Sequence, residues 1–280
     1  MQRLSWFLSA FLVACGTGPS DRAPDSGTGG DGNNPNGDGC SDEAKSVYVV
    51  DQNYTLSRFD PPTKSFMDLG PLDCMARLGA TPFSMGIDRN AVAWVLYSSG
   101  ELFRVDTTSL NCTKSTWTTQ AGLSQFGMGF STDAAGGAVD TLYVAGGAGP
   151  SQPTSQLATL STATFQASPV GPVQGWPELT GTGNAELWGF FPDAASPRIA
   201  QLNKANGQAI KTLPLSIAGT PTAWAFAFWG GDFWVFLMKN TESSTTIYQY
   251  DANGQLKGSK LAAGRTIVGA GVSTCAPVIL

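Results

Sequence analysis

The sequence predicts an all-β fold: a five-bladed β-propeller of four-stranded antiparallel blades, closed by a C-terminal inner strand in the first blade. Three observations predict it. An aromatic residue recurs inside a short strand-like run five times, as Tyr48, Trp94, Tyr143, Trp188 and Trp234, at steps of 46, 49, 45 and 46 residues. Periodicity in this range marks propeller or solenoid arrays. A run rich in small residues precedes four of these aromatics, and an alternating run ending in a turn follows all five. Finally, the unit around Tyr48 lacks its upstream run, while the C-terminus carries a spare one at 266–273 (TIVGAGVS).

Each element of the unit has its own reason. The small-residue runs at 83–88, 126–131, 178–183 and 224–229 suit inner strands, which crowd at the axis of a propeller. The aromatic runs suit second strands, whose large side chains pack between blades. The third runs, at 55–60, 101–106, 156–161, 198–203 and 246–251, alternate with period two, and four of them end in Asp or Asn. Turn residues such as PPTK, KANG and ANG follow, reading as hairpins. More polar runs at 65–70, 209–215 and 255–261 suit the outer edge, where charge blunts edge-to-edge pairing. Placing 266–273 in the inner position of the first blade gives five blades, one built from both chain ends. The arrangement resembles β-propeller repeat proteins in general, which share D-x-x-(T/N)-G-like hairpins. Over residues 45–275 the resemblance implies the fold, and one fold hosts many functions.

The N-terminus carries an address. Residues 1–15 read MQRLSWFLSAFLVAC: Arg3 is a short positive region, and 4–13 is an apolar stretch too short to span a bilayer. The ending Leu-Val-Ala-Cys resembles a bacterial lipobox. That implies a signal peptide at 1–14 and a lipid-modified (palmitate-bearing) Cys15 at the mature terminus. Gly16 after the cysteine implies the outer membrane, by resemblance to Gram-negative lipoproteins. Residues 16–39 hold no aromatic and no Leu, Ile, Val or Met; such a segment cannot bury apolar surface. We therefore expect a lipidated, Gly/Asp/Asn-rich tether at 15–44 and a propeller domain at 45–280.

If Cys15 is lipidated, four cysteines remain, and an even number in an exported chain suggests two disulfides. Topology favours Cys40 with Cys275, since both lie at the turn joining the first two strands of the closing blade. Cys74–Cys112 follows by elimination, although strand parity sets these two nearer opposite ends of adjacent blades.

Composition narrows the function. There is no histidine, which removes Ser-His-Asp and Cys-His nucleophile pairs and His-ligated zinc. The net charge is −5, and −6 without Arg3, a poor match for nucleic acid. No phosphate loop or dinucleotide fingerprint stands in a strand-to-helix context, and no cofactor or metal is expected. Acids near the axis are Asp88, Asp133, Glu178 and Asp232; the three aspartates read as turn residues, and Glu178 is the least turn-like. The short Asp-x-Asn pieces at 51–53 and 251–253 also read as hairpin turns, lacking the acidic loop of a calcium hand.

Two tryptophans stand apart from the repeat: Trp117, ending an outer strand, and Trp176, in the loop entering the fourth inner strand. Exposed Trp stacks on sugars or anchors proteins. The longer loops 146–155, 192–197 and 239–245 share a face with Trp176, and long loops on a rigid scaffold are where recognition is built. The expectation is thus a monomeric, membrane-tethered envelope module, not an enzyme, that binds a protein or glycan. Its ligand candidates are Trp176, Trp117 and Glu178. The alternative is a carboxylate-dependent glycan- or lactone-active enzyme with its site on the axis.

Overall fold

The computed structural model describes residues 39–149, 152–193 and 195–279. The leader, Cys15 and most of the tether lie outside the described residues. After a 3-10 turn, Glu43–Lys45, the described residues form twenty strands. The first three are β1 (Val47–Asp51), β2 (Thr55–Asp60) and β3 (Ser65–Pro71). The second blade is β4 (Pro82–Ile87), β5 (Val92–Tyr97), β6 (Leu102–Asp106) and β7 (Cys112–Lys114). The third is β8 (Gln125–Thr132), β9 (Asp140–Gly147), β10 (Thr154–Leu160) and β11 (Ala167–Gln174). The fourth is β12 (Glu178–Gly181), β13 (Leu187–Phe191), β14 (Arg198–Leu202) and β15 (Ala209–Pro214). The fifth is β16 (Pro221–Trp229), β17 (Asp232–Lys239), β18 (Thr245–Tyr250) and β19 (Leu256–Ala262). The last strand, β20 (Ile267–Gly271), pairs with β1 to complete the first blade, in the order β20-β1-β2-β3. The fold is therefore the five-bladed ring expected, with one blade made from both chain ends.

The small residues of the inner strands have a steric cause. A Cβ on Gly129 of β8 would stand 2.9 Å from the Cα of Thr180 on β12. One on Gly271 of β20 would stand 3.0 Å from the backbone of Gly86 on β4. Neighbouring inner strands touch backbone to backbone here, which only glycine permits.

The five repeated aromatics fill the blade interfaces: Tyr48, Trp94, Tyr143, Trp188 and Trp234 are all buried. A cation covers each ring. Arg58 lies over Tyr48, Arg104 over Trp94, Lys204 over Tyr143, Lys211 over Trp188 and Lys64 over Trp234, at 5.2–5.9 Å. Arg58 and Arg104 are the cross-strand partners of their rings, so pleat geometry alone brings them there.

The hairpin between third and fourth strands is the other invariant of the unit. Its first residue is Asp60, Asp106, Ser161, Asn203 or Asp251, and the side-chain oxygen accepts a backbone N–H two or three residues on. The chain then passes through a left-handed residue: Lys64, Leu110, Phe165, Gly207 or Gly254, with φ between 51° and 79°. That residue turns toward the preceding blade. Phe165 tilts over Trp94, at 6.1 Å between centroids. At Gly207 an added Cβ would sit 3.0 Å from Pro172 O. Gly207→Ala is expected to cost about 1–2 kcal/mol through the left-handed backbone and this contact. The check is a lower denaturation midpoint with an unchanged m-value.

Two outer strands differ from the rest, and Trp117, expected to end one of them, lies beyond the end of β7 at Lys114. β7 is three residues long, and β11 carries Pro169 and Pro172. Proline removes a ladder donor and is tolerated only at an edge or bulge; β11 is an edge strand, with a register shift opposite Leu157/Ala158.

Both disulfides form as expected, Cys40–Cys275 with Cα atoms 5.9 Å apart and Cys74–Cys112 at 5.2 Å. The difficulty that strand parity posed for the second pair is resolved by blade twist. Successive strands rotate, so outer strands run steeply across the ring axis. The end of β3 thereby meets the far corner of the second blade: an added Cβ on Gly70 would stand 2.7 Å from Leu110 Cδ1. The ordered domain also starts before residue 45. Ser41 N–H bonds Arg89 O at 3.1 Å, and Ala44 is fully buried. The disulfide at Cys40 draws this segment onto the ring.

Candidate functional site

All five inner strands begin on the same face of the ring, which also carries the connections between second and third strands. A cavity of about 250 Å³ opens there, lined by Gln52, Thr81, Pro82, Phe83, Glu178, Thr222, Ala223, Trp224 and Val268. These residues come from blades 1, 2, 4 and 5, so the cavity lies at the mouth of the axis.

A register detail builds it. On an inner strand side chains normally alternate toward the two neighbouring blades. In three blades the ladder skips one residue at the mouth. The pairing steps from Pro82 to Ser84 in β4, from Pro221 to Ala223 in β16, and from Ile267 to Gly269 in β20. The skipped residues are Phe83, Thr222 and Val268, and all three line the cavity. Bulges re-aim side chains in this way and concentrate beside functional sites. Blades 3 and 4, whose inner ladders run without a shift, contribute Glu178 alone.

Glu178 opens β12 and is only 3% exposed. The Ser84 hydroxyl of β4 donates to its Oε1, and the backbone N–H of Met128 in β8 donates to the same carboxyl group. The side chain therefore reaches from blade 4 across the axis, tying three inner strands together. Burial pushes its carboxyl well above the usual range, against the lesser opposing pull of Ser84 and Met128. Among the described residues no Lys or Arg forms an ion pair with it. Phe83 and Trp224, both half-buried, supply aromatic walls.

Of the sequence-read ligand candidates, then, Glu178 lines the cavity. Trp176 stands on the same face beside it. The Trp176 ring packs within 3.3 Å of where a Cβ on Gly147 would be, and its Nε1 donates to Gln152 O at 2.9 Å. Trp117 is 5% exposed and meets Phe126 edge-on at 5.7 Å, inside the interface of blades 2 and 3. A ligand could reach Trp117 only by displacing that core. Phe83, Thr222 and Val268 were missed, because a bulge leaves no mark on hydrophobic alternation, and Trp224 was read only as part of the inner-strand run 224–229.

The other acids are elsewhere and locally satisfied. Asp88 follows the far end of β4 and accepts from Asn90 N, Val92 N and Trp94 Nε1. Asp133, after β8, accepts from the Thr141 hydroxyl. Asp232, at the start of β17, is held by Lys257 and Gln249. Asp51 and Asp251 cap their own hairpins. Among the described residues no group of three or more His, Cys, Asp or Glu could hold a metal ion.

No protein-family profile matches the chain, and no curated protein matches it. Among solved structures, a chain of the crystal structure of a nidogen/laminin complex superimposes with a TM-score of 0.51 at 12% identity, covering 84% of this chain and 99% of that one. A protein of unknown function from Bacteroides caccae gives 0.45 at 10% identity, covering 81% and 97%. Kuenenia stuttgartiensis hydrazine synthase gives 0.43 at 12%, covering 79% of this chain and 64% of that one. At such identity the first likeness shows the fold alone.

Proposed function

We propose that this protein is a binding module of the bacterial cell envelope, held to the outer membrane through a lipid on Cys15 and a Gly/Asp/Asn-rich tether, and that it is not an enzyme. Its ligand is an envelope protein or glycan, met by the face on which the inner strands begin. The observation that carries this reading is the cavity made there by three bulged strands. Trp176, held by Gln152 O, offers a second contact on the same face. The two disulfides support an oxidising, extracytoplasmic setting.

The catalytic reading rests on paired carboxyl groups, one as acid and one as base or nucleophile. Among the described residues Glu178 is the one acid lining the cavity, which favours binding over that chemistry.

A glycan array and a pull-down from envelope extract, run with the full chain and with Trp176→Ala, test the proposal. We expect a specific partner whose capture falls at least tenfold in the variant. Capture unchanged by Trp176→Ala and by Trp224→Ala together would remove the mouth face as the binding site.

A further inference from the structure

The axial cavity pairs two features whose combination selects one ligand chemistry. Its lining includes a carboxyl group that forms no ion pair with Lys or Arg among the described residues, together with an indole and a phenyl ring. Burying an acid without a counter-charge is costly, and aromatic faces attract cations. Around them Thr81, Thr222 and Gln52 offer hydroxyl and amide oxygens, which accept hydrogen bonds from ammonium or guanidinium N–H groups. The size is also selective. About 250 Å³ lies below the roughly 300–1,000 Å³ of pockets that engulf drug-sized ligands, so it suits one side chain better than an oligosaccharide. The net charge of −5 favours approach of a basic partner.

We propose that the axial cavity receives a single basic side chain, arginine or lysine, projecting from a protein partner and held between Phe83 and Trp224 against Glu178. The proposal rests on the binding-module reading above and specifies the chemistry of its site.

Glu178 also ties β12 to β4 and β8, and a purely structural role must be told apart from ligand recognition. Glutamine separates them, since its amide keeps hydrogen-bonding capacity and shape while removing the proton that the carboxyl can give up to face a bound cation. The test is calorimetric titration of the full-length protein with a short capped peptide bearing one arginine. The same peptide with citrulline, its neutral isostere, is the control. We expect the arginine peptide to bind, the citrulline peptide to bind at least tenfold more weakly, and Glu178→Gln to lose at least tenfold for arginine while melting as a folded protein. The proposal is overturned if arginine and citrulline bind alike, if Glu178→Gln keeps its affinity, or if the arginine peptide fails to bind at millimolar concentration. In any of these cases, an envelope partner still captured by the wild type and lost in Trp176→Ala leaves the binding-module reading standing.

Discussion

Replacing Cys275 with serine is expected to cost about 5 kcal/mol, the largest single-site loss in the molecule. The Cys40–Cys275 bond spans a sequence separation of 235, and the chain-entropy relation gives about 5 kcal/mol for a loop of that size. The geometry adds to the argument. Elsewhere in the ring each inner strand is joined to its blade by a short hairpin. β20 alone is joined to β1 by non-covalent pairing, over Tyr48–Asp51. The disulfide therefore sits where the ring has no continuous backbone. Its neighbours depend on it: Arg89 bonds Asp140 at 3.1 Å and Gly137 O at 2.6 Å, and Thr274 Oγ1 donates to Asp140 at 2.7 Å. Ser273 Oγ donates to Ala44 O at 2.8 Å, and Gly230 N–H to Pro277 O at 2.7 Å. Without the bond, β20 and this clasp can peel away as a unit. Denaturation of Cys275→Ser should show a lower midpoint, and hydrogen exchange should show β20 and β1 exposed first. An equal loss in Cys74→Ser, whose bond spans only 38 residues, with β20 still protected, would refute the ring-closure account.

The second large effect concerns Glu178 and has a definite sign in pH. Its carboxyl titrates higher in the folded than in the unfolded chain, so the folded state holds a proton that the unfolded state releases. The resulting stability is complete below the unfolded value of about 4.5 and is lost as pH rises through the folded value. Within that window the slope is up to about 1.4 kcal/mol per pH unit, downward with increasing pH. Glu178→Gln should flatten this component of the profile, since an amide does not titrate. Glu178→Ala should be destabilised by about 2–4 kcal/mol at pH 5, because it orphans the Met128 N–H and the Ser84 hydroxyl and opens a void on the axis. Thermal melts of the three proteins from pH 4.5 to 8 decide the matter. A wild-type profile parallel to that of Glu178→Gln would show that the group is ionised in the fold.

The repeat itself was legible because it is enforced by contacts that recur in every blade. The buried aromatics at 48, 94, 143, 188 and 234 must fill equivalent blade interfaces, and the Asp, Asn or Ser opening each outer hairpin must cap the same turn. The glycines of the inner strands must admit a neighbouring backbone. Constraints repeated five times leave a period in the chain, and the spare run at 266–273 reveals the closure because the count demands it. The Cys40–Cys275 pairing followed from the same count.

Tertiary structure decided what occurs once. The bulges that turn Phe83, Thr222 and Val268 into the axis are single-residue slips in hydrogen-bond register, invisible to alternation. Blade twist, a cumulative rotation, carries Cys74 to Cys112 where strand parity set them apart. The fate of each tryptophan was likewise a matter of packing: Trp117 is sealed against Phe126, Trp176 stays at the mouth, and Trp224 lines the cavity. By itself the sequence determined the architecture, because local propensities and periodic burial act through near neighbours along the chain. Where a unique side chain points was left to the ring, because that depends on which residues from four blades meet at one axis.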